Sequence, residues 1–219
     1  MVPAAVIFDM DGVIVDSEPL HERATRETLA ALGYPDGGGI RFRDYVGRSD
    51  GELWADFLRR HRLSVSLEEL LAMKRRHLLA LLASRRPLFG GAVNLVRRLQ
   101  GRTLLGLASG SERPVIEAVL DLSGLRDCFA VTVSGMEVPR GKPAPDIFLH
   151  VANRLKVEPQ QCCVIEDSLP GIAAGRAAGM RVVAIANTHP PEELRDADYV
   201  VQDYESLARW LGLEDSADR

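Results

Sequence analysis

From Phe89 onward the chain alternates short apolar runs with helical segments, and this alternation restricts the fold more than any other feature. The runs are TLLGLA at residues 103–108, FAVTV at 129–133, CCVIE at 162–166 and VVAIA at 182–186. Strands separated by crossover helices build a parallel sheet. The earlier run at residues 4–8 joins the same sheet, because a lone strand ahead of a helical segment would bury nothing. Between them, residues 17–87 carry apolar positions at helical spacing: Leu29, Leu32, Leu53, Phe57, Leu70, Leu71, Leu78 and Leu82. Ser66, Leu67, Glu68 and Glu69 form a capping-box pattern that starts a helix at Ser66, and Gly33 and Gly37, Gly38, Gly39 mark breaks. The expected fold class is therefore α/β: a Rossmann-like parallel-sheet core formed by 1–16 and 88–219, with a small inserted α-helical cap at 17–87. A cap inserted after the first strand is expected above the C-terminal sheet edge, where it could close over a site.

The first strand ends in acid. Asp9 and Asp11 follow Val6, Ile7 and Phe8, so both carboxylates emerge at the C-terminal end of a buried strand, where open α/β sheets bind ligands. Two carboxylates at close range in a partly desolvated crevice repel by several kcal/mol at an effective dielectric of roughly 20, so such a pair shares a proton or holds a cation. Gly12 lets the backbone turn closely past whatever binds there. This cluster is read as a site for Mg²⁺ and phosphate.

Three further strand ends carry a matching inventory. The first is Ser109, Gly110 and Ser111, whose hydroxyls and amides suit phosphate oxygens, with Ser111 favoured as the N-cap of the next helix. The second is Lys142 in GKPAPDIF, where Pro143 and Pro145 stiffen the loop and Asp146 can cap the helix that follows. The third is Glu166 and Asp167, which add a second acidic pair; oxygen ligands of this kind suit Mg²⁺. The small residues of GIAAGRAAGM beyond them are read as close packing on the sheet.

Composition narrows the partners. A chain of 219 residues with 46% hydrophobic content can bury a full core, and its net charge of −4 argues against a broad nucleic-acid surface. The start MVPAAVIFD lacks a basic n-region and a long apolar stretch, and no later run approaches a membrane span. A cytoplasmic monomer acting on a small molecule, without nucleic acid or membrane, is expected. Cys128, Cys162 and Cys163 show neither paired spacing nor a nearby His, so they are read as small buried hydrophobes rather than zinc ligands or a disulfide framework.

Taken in order, DMDGVIVDS, LASGS, GKPAPDIF and VIEDSLPGIAAGRAAGM resemble the four motifs of the haloacid-dehalogenase-like superfamily of phosphotransferases. Within it the likeness is to the β-phosphoglucomutase-like phosphatases with a helical cap. The resemblance implies Asp9 as the nucleophile that forms an aspartyl-phosphate and Asp11 as general acid and base, its backbone carbonyl also binding metal. It implies Ser109 and Lys142 as holders of the transferring phosphoryl, and Asp167, with Glu166 directly or through water, as Mg²⁺ ligands alongside Asp9. Asp11 also separates phosphate-ester chemistry from halide displacement, which needs no proton.

Substrate choice is expected from Gly110 and from the cap. Arg48, beside Gly47, can reach oxygens of a phosphate or sugar, and His21 is either a substrate contact or a packing residue. Lys74 lies near a cap lysine of the mutase-like relatives, yet it opens the basic run KRRH, for which a solvated helix face is the stronger reading. Arg113 stands where the mutases carry an amide. The leading expectation is a Mg²⁺-dependent phosphatase of a small phosphorylated metabolite such as a sugar phosphate. The alternatives are a hexose-phosphate mutase using the same aspartyl-phosphate, and a non-catalytic phosphate-binding regulatory domain.

Overall fold

Five expected strands form, and a sixth follows them. A computed structural model describes residues 3–45 and 50–213. The strands are β1 (Ala5–Phe8), β2 (Leu104–Ser109), β3 (Val131–Ser134), β4 (Cys162–Glu166), β5 (Arg181–Ile185) and β6 (Tyr199–Val201). All pair in parallel, in the order β3-β2-β1-β4-β5-β6. β6 lies outside the expected set. It has three residues, follows a polar stretch, and is held by its partner β5 rather than by any run of its own.

The chain divides into two units, with breaks between Val15 and Asp16 and between Pro87 and Leu88. The sheet unit also holds helices α4 (Gly90–Leu99), α5 (Arg113–Ser123), α6 (Asp146–Leu155), α7 (Leu169–Ala177) and α8 (Tyr204–Trp210). β1 and β4 are buried along their whole length, as strands covered on both faces must be. Ile147, Phe148, Val151, Ala152 and Leu155 of α6 and Ile172 and Ala174 of α7 share one core with Ala5, Ile7, Val164 and Val182. Contact there is close: a Cβ on Gly175 would come within 2.7 Å of Val182, which bears out the packing role for Gly175 and the buried Ala174, whereas Ala173 and Ala177 of the same helix are exposed.

The second unit contains α1 (Glu18–Ala31), α2 (Asp50–His61) and α3 (Leu67–Arg85). α3 begins as its capping box requires: Ser66 Oγ accepts from the Glu69 amide at 3.2 Å, and the Glu69 carboxylate accepts from the Ser66 amide at 2.8 Å. α1 stops at Ala31, and Gly33, Gly37, Gly38 and Gly39 beyond it all have positive φ. Leu29, Leu53, Trp54, Phe57 and Leu70 form the unit's core.

Among the described residues no helix is long and apolar enough to cross a membrane. The three cysteines are free. Cys162 and Cys163 are buried in β4, and burial pushes their thiols up to about 11 and about 12. Thiolate is the reacting form, so iodoacetamide at pH 8 is expected to label Cys128 alone in the native protein and all three cysteines after denaturation. Mass spectrometry of the two samples checks this, and labelling of Cys163 without unfolding would contradict it.

Candidate active site

In this sheet the strand order reverses between β1 and β4, the position at which doubly wound sheets bind ligands beyond their carboxyl ends. Asp9 follows β1, its amide bonded to the Ile165 carbonyl of β4 at 2.9 Å. Glu166 ends β4 and Asp167 follows it. One oxygen from each of Asp9, Glu166 and Asp167 lies within 4.8 Å of the others, and all three side chains are buried. Lys142 reaches in from the loop before α6, its Nζ 2.5 Å from both Asp9 Oδ1 and Glu166 Oε1, with its ammonium 5.2 Å from the Phe148 ring centre.

The electrostatics are unbalanced. Three clustered carboxyl groups share one ammonium, which touches Asp9 and Glu166, and like charges at such range cost several kcal/mol per pair at an effective dielectric of about 20. Burial, reinforced by Glu166 and Asp11, raises the Asp9 carboxyl to about 8 against the pull of Lys142. Burial, with Glu166 and Asp9, likewise holds Asp167 well above the carboxylate range. For Lys142 burial acts to lower the ammonium's pKa, but Asp9 and Glu166 outweigh it and keep it charged. Carboxylates this reluctant to ionise together fit a hard divalent cation.

Glu166 is fully engaged. Its Oε2 accepts from the Asp167 amide at 2.8 Å, the Ser168 amide at 2.8 Å and Ser168 Oγ at 2.9 Å, while Oε1 takes Lys142. A Cβ on Gly171 would lie 1.6 Å from Oε1. Gly171 therefore makes room for this carboxylate rather than for the sheet, a further correction to the packing expectation. Ser168 is the N-cap of α7, accepting from the Gly171 amide at 3.2 Å.

Asp11 belongs to a second cluster. Its Oδ2 accepts from Ser109 Oγ at 2.9 Å and from Ser111 Oγ at 3.0 Å. The capping role expected of Ser111 is therefore wrong: Glu112 precedes α5 without a side-chain cap bond, and the Ser111 hydroxyl goes to the acid instead. Asp146 likewise does not cap α6 but is its first residue, paired with Arg140 at 2.8 Å. Gly110 lies between the two serines, its backbone so near Gly135 that a Cβ there would sit 3.2 Å from Gly110 Cα. Ser134 Oγ donates to the Ser111 carbonyl at 2.7 Å, so the turn after β3 supports this loop. Arg113 points elsewhere, to Thr132 Oγ1 at 2.7 Å and to Glu137.

In the helical unit Lys74 is 1% exposed, so the solvated-face reading fails for it. Its ammonium meets Asp50 and lies 2.7 Å from His21 Nδ1. A charge taken out of water costs several kcal/mol unless paired, and Asp50, which no sequence argument singled out, supplies the pair. Arg48 lies outside the described residues.

Three more residues border the metal-type cluster without having been expected. Thr188 donates to Asp167 Oδ2, Asn187 Nδ2 donates to the Gly12 carbonyl at 2.7 Å, and Tyr204 Oη donates to the Val13 carbonyl at 2.7 Å. Gly12 has φ +78°, and a Cβ on it would lie 1.8 Å from Asp167 Oδ2. What passes so closely by Gly12 is the Asp167 carboxylate.

Comparison with known proteins agrees with this geometry. Residues 3–179 match the family model for haloacid dehalogenase-like hydrolase. The chain is 35% identical over 208 residues to hexitol phosphatase B of Escherichia coli K12, covering 91% of this chain and 89% of that one. It is 37% identical over 190 residues to the fructose-1-phosphate phosphatase of the same organism, covering 83% and 96%. Among solved structures it is similar to CbbY from Rhodobacter sphaeroides in complex with phosphate, with a TM-score of 0.84 and 28% identity over 94% of this chain and 96% of that one. This chain belongs to the haloacid dehalogenase-like hydrolase family.

Proposed function

We propose that this chain, a phosphoric monoester hydrolase, is a Mg²⁺-dependent phosphatase of hexose or hexitol phosphates. The observation that carries the reading is the buried meeting of Asp9, Glu166 and Asp167, with Lys142 paired to the first two. A site with that charge balance has little use other than holding a divalent cation beside an anion.

Asp9, Asp167 and the Asp11 backbone carbonyl would hold Mg²⁺, with Glu166 acting through water because its own oxygens are already bonded. When bound, the ion would offset the charge of the carboxylates and of the phosphate, without which a dianion cannot approach a carboxylate nucleophile. Lys142, Ser109 and the Gly110 amide would hold the phosphoryl oxygens. Asp9 attacks phosphorus, and Asp11 protonates the departing alkoxide as the ester bond breaks. Asp11 then takes a proton from water, which attacks the aspartyl-phosphate, releasing inorganic phosphate and restoring the Asp9 carboxylate. A phosphoryl oxygen competing for the Ser109 hydroxyl would free Asp11 Oδ2 to do this work. Substrate selection is assigned to the helical unit through His21, Lys74 and Arg48.

A panel of phosphate esters assayed with Mg²⁺ and ranked by kcat/KM tests the reading; hexitol and hexose phosphates are expected at the top. Incubation with β-glucose 1-phosphate and a trace of the bisphosphate separates the mutase. Isomerisation outpacing phosphate release would overturn hydrolysis as the activity. No phosphate from any ester would favour a non-catalytic domain.

A further inference from the structure

The loop after β5 and the first residue of α8 meet at the turn that follows the nucleophile. Asn187 Nδ2 has two hydrogens and uses both, one on the Gly12 carbonyl at 2.7 Å and one on Tyr204 Oη at 2.8 Å. Tyr204 passes its own hydrogen to the Val13 carbonyl at 2.7 Å. On the other side of Asp11 the Met10 carbonyl accepts from the Ile14 amide at 2.7 Å, and the N–H of the Asp11–Gly12 peptide donates to the Val15 carbonyl at 2.8 Å. The carbonyls before and after the Asp11 peptide are therefore tied in place.

Tyr204 is itself well placed to act as an anchor. Asp203 caps α8 by accepting from the Ser206 amide at 2.6 Å, fixing the helix start that carries the tyrosine. The ring packs against Phe89 at 6.0 Å between centres, and Gly91 leaves room for it, since a Cβ there would come within 2.6 Å of the ring. One residue along from Asn187, Thr188 bonds Asp167 Oδ2. A single two-residue stretch thus holds the backbone of the β1 turn and the carboxylate of the β4 turn.

We infer that Asn187 and Tyr204 are positioning residues for the divalent-cation site, setting the orientation of the Asp11 peptide by holding the carbonyls of Gly12 and Val13; this rests on the metal reading proposed above. Neither residue touches the reacting atoms. Their effect is carried by backbone they hold, as outer groups orient the ligands of metal centres generally.

Tyr204→Phe removes the hydroxyl and keeps the ring that Phe89 and Gly91 accommodate. In substrate-free protein, Mn²⁺ binding followed by electron paramagnetic resonance is expected to weaken about 10-fold. The Mg²⁺ concentration giving half-maximal turnover should rise by a similar factor, while kcat at saturating Mg²⁺ stays within about twofold of wild type. Asn187→Ala should act in the same direction. The double variant should be no weaker than the worse single one, because the two side chains form one chain of bonds. Unchanged Mn²⁺ affinity in Tyr204→Phe, with or without a fall in Tm, would overturn the inference and leave the metal reading standing. Failure of the wild-type protein to bind Mn²⁺ would instead remove the metal reading, and the inference with it.

Discussion

If Asp9 is the nucleophile as proposed, replacing it with Asn is expected to lower kcat by at least about 10⁴-fold, the scale seen when a covalent nucleophile is removed from a preorganised site. The same variant keeps its fold, because Asn fills the same space in a buried position and the Asp9 amide retains its bond to Ile165. It also removes one of three clustered carboxyl groups whose ionisation only a single ammonium offsets. The expected result is an inactive protein that, in EDTA at pH 8, melts no lower than the wild type. Retained turnover in Asp9→Asn would show that Asp9 is not the nucleophile.

The stability side of that prediction has a definite sign. Burial, together with the neighbouring acids, raises the Asp9 carboxyl from an ordinary 3.8 to about 8, and Asp167 moves the same way. Between those limits the folded metal-free protein keeps protons that the unfolded chain has lost. Stability is then fully present below pH ~4 as far as these groups are concerned, and falls as pH rises toward 8. Divalent cations bind the ionised form, so Mg²⁺ should raise Tm little at pH 5 and increasingly toward pH 8. Asp9→Asn should flatten both trends. Thermal melts at several pH values, with EDTA or with Mg²⁺, measure this directly; a Mg²⁺ effect that shrinks as pH rises would contradict it.

Much of the site was legible because its chemistry stands at strand ends. A buried apolar run followed by Asp9, or by Glu166 and Asp167, announces both the strand and the point where its carboxylates emerge. Lys142 was legible for a related reason, since the prolines around it mark a loop that runs into a helix. Residues whose role depends on a partner distant in sequence were not. Lys74 heads a basic run on α3, and its burial is explained by Asp50 on α2 and His21 on α1. Ser111 has every local mark of a helix cap, yet Asp11, 100 positions earlier, takes its hydroxyl. Tyr204 is 191 positions from Val13, and the short strand β6 that leads to α8 forms only because β5 is there to pair with it. Asp203 caps that helix.

On the proposed metal reading, Gly12→Ala is expected to disable the cation site without replacing a ligand. At φ +78° an alanine pays about 1–2 kcal/mol of backbone strain. Its Cβ would also stand 1.8 Å from Asp167 Oδ2, 2.4 Å from Asp167 Cγ and 2.8 Å from Thr188 Oγ1, so the carboxylate must leave its place and its Thr188 bond. Crowding of this kind adds about 1–3 kcal/mol. Turnover should fall at least about 100-fold at ordinary Mg²⁺, with Mn²⁺ binding weakened in parallel. Gly101→Ala separates the two causes. Gly101 has nearly the same backbone angle, φ +77°, but nothing lies within 4 Å of its ideal Cβ. That variant bears the strain alone, so it should lose a little Tm and keep wild-type Mn²⁺ affinity and turnover. Equal damage in both variants would mean that backbone strain, and not the displaced Asp167 carboxylate, accounts for the loss.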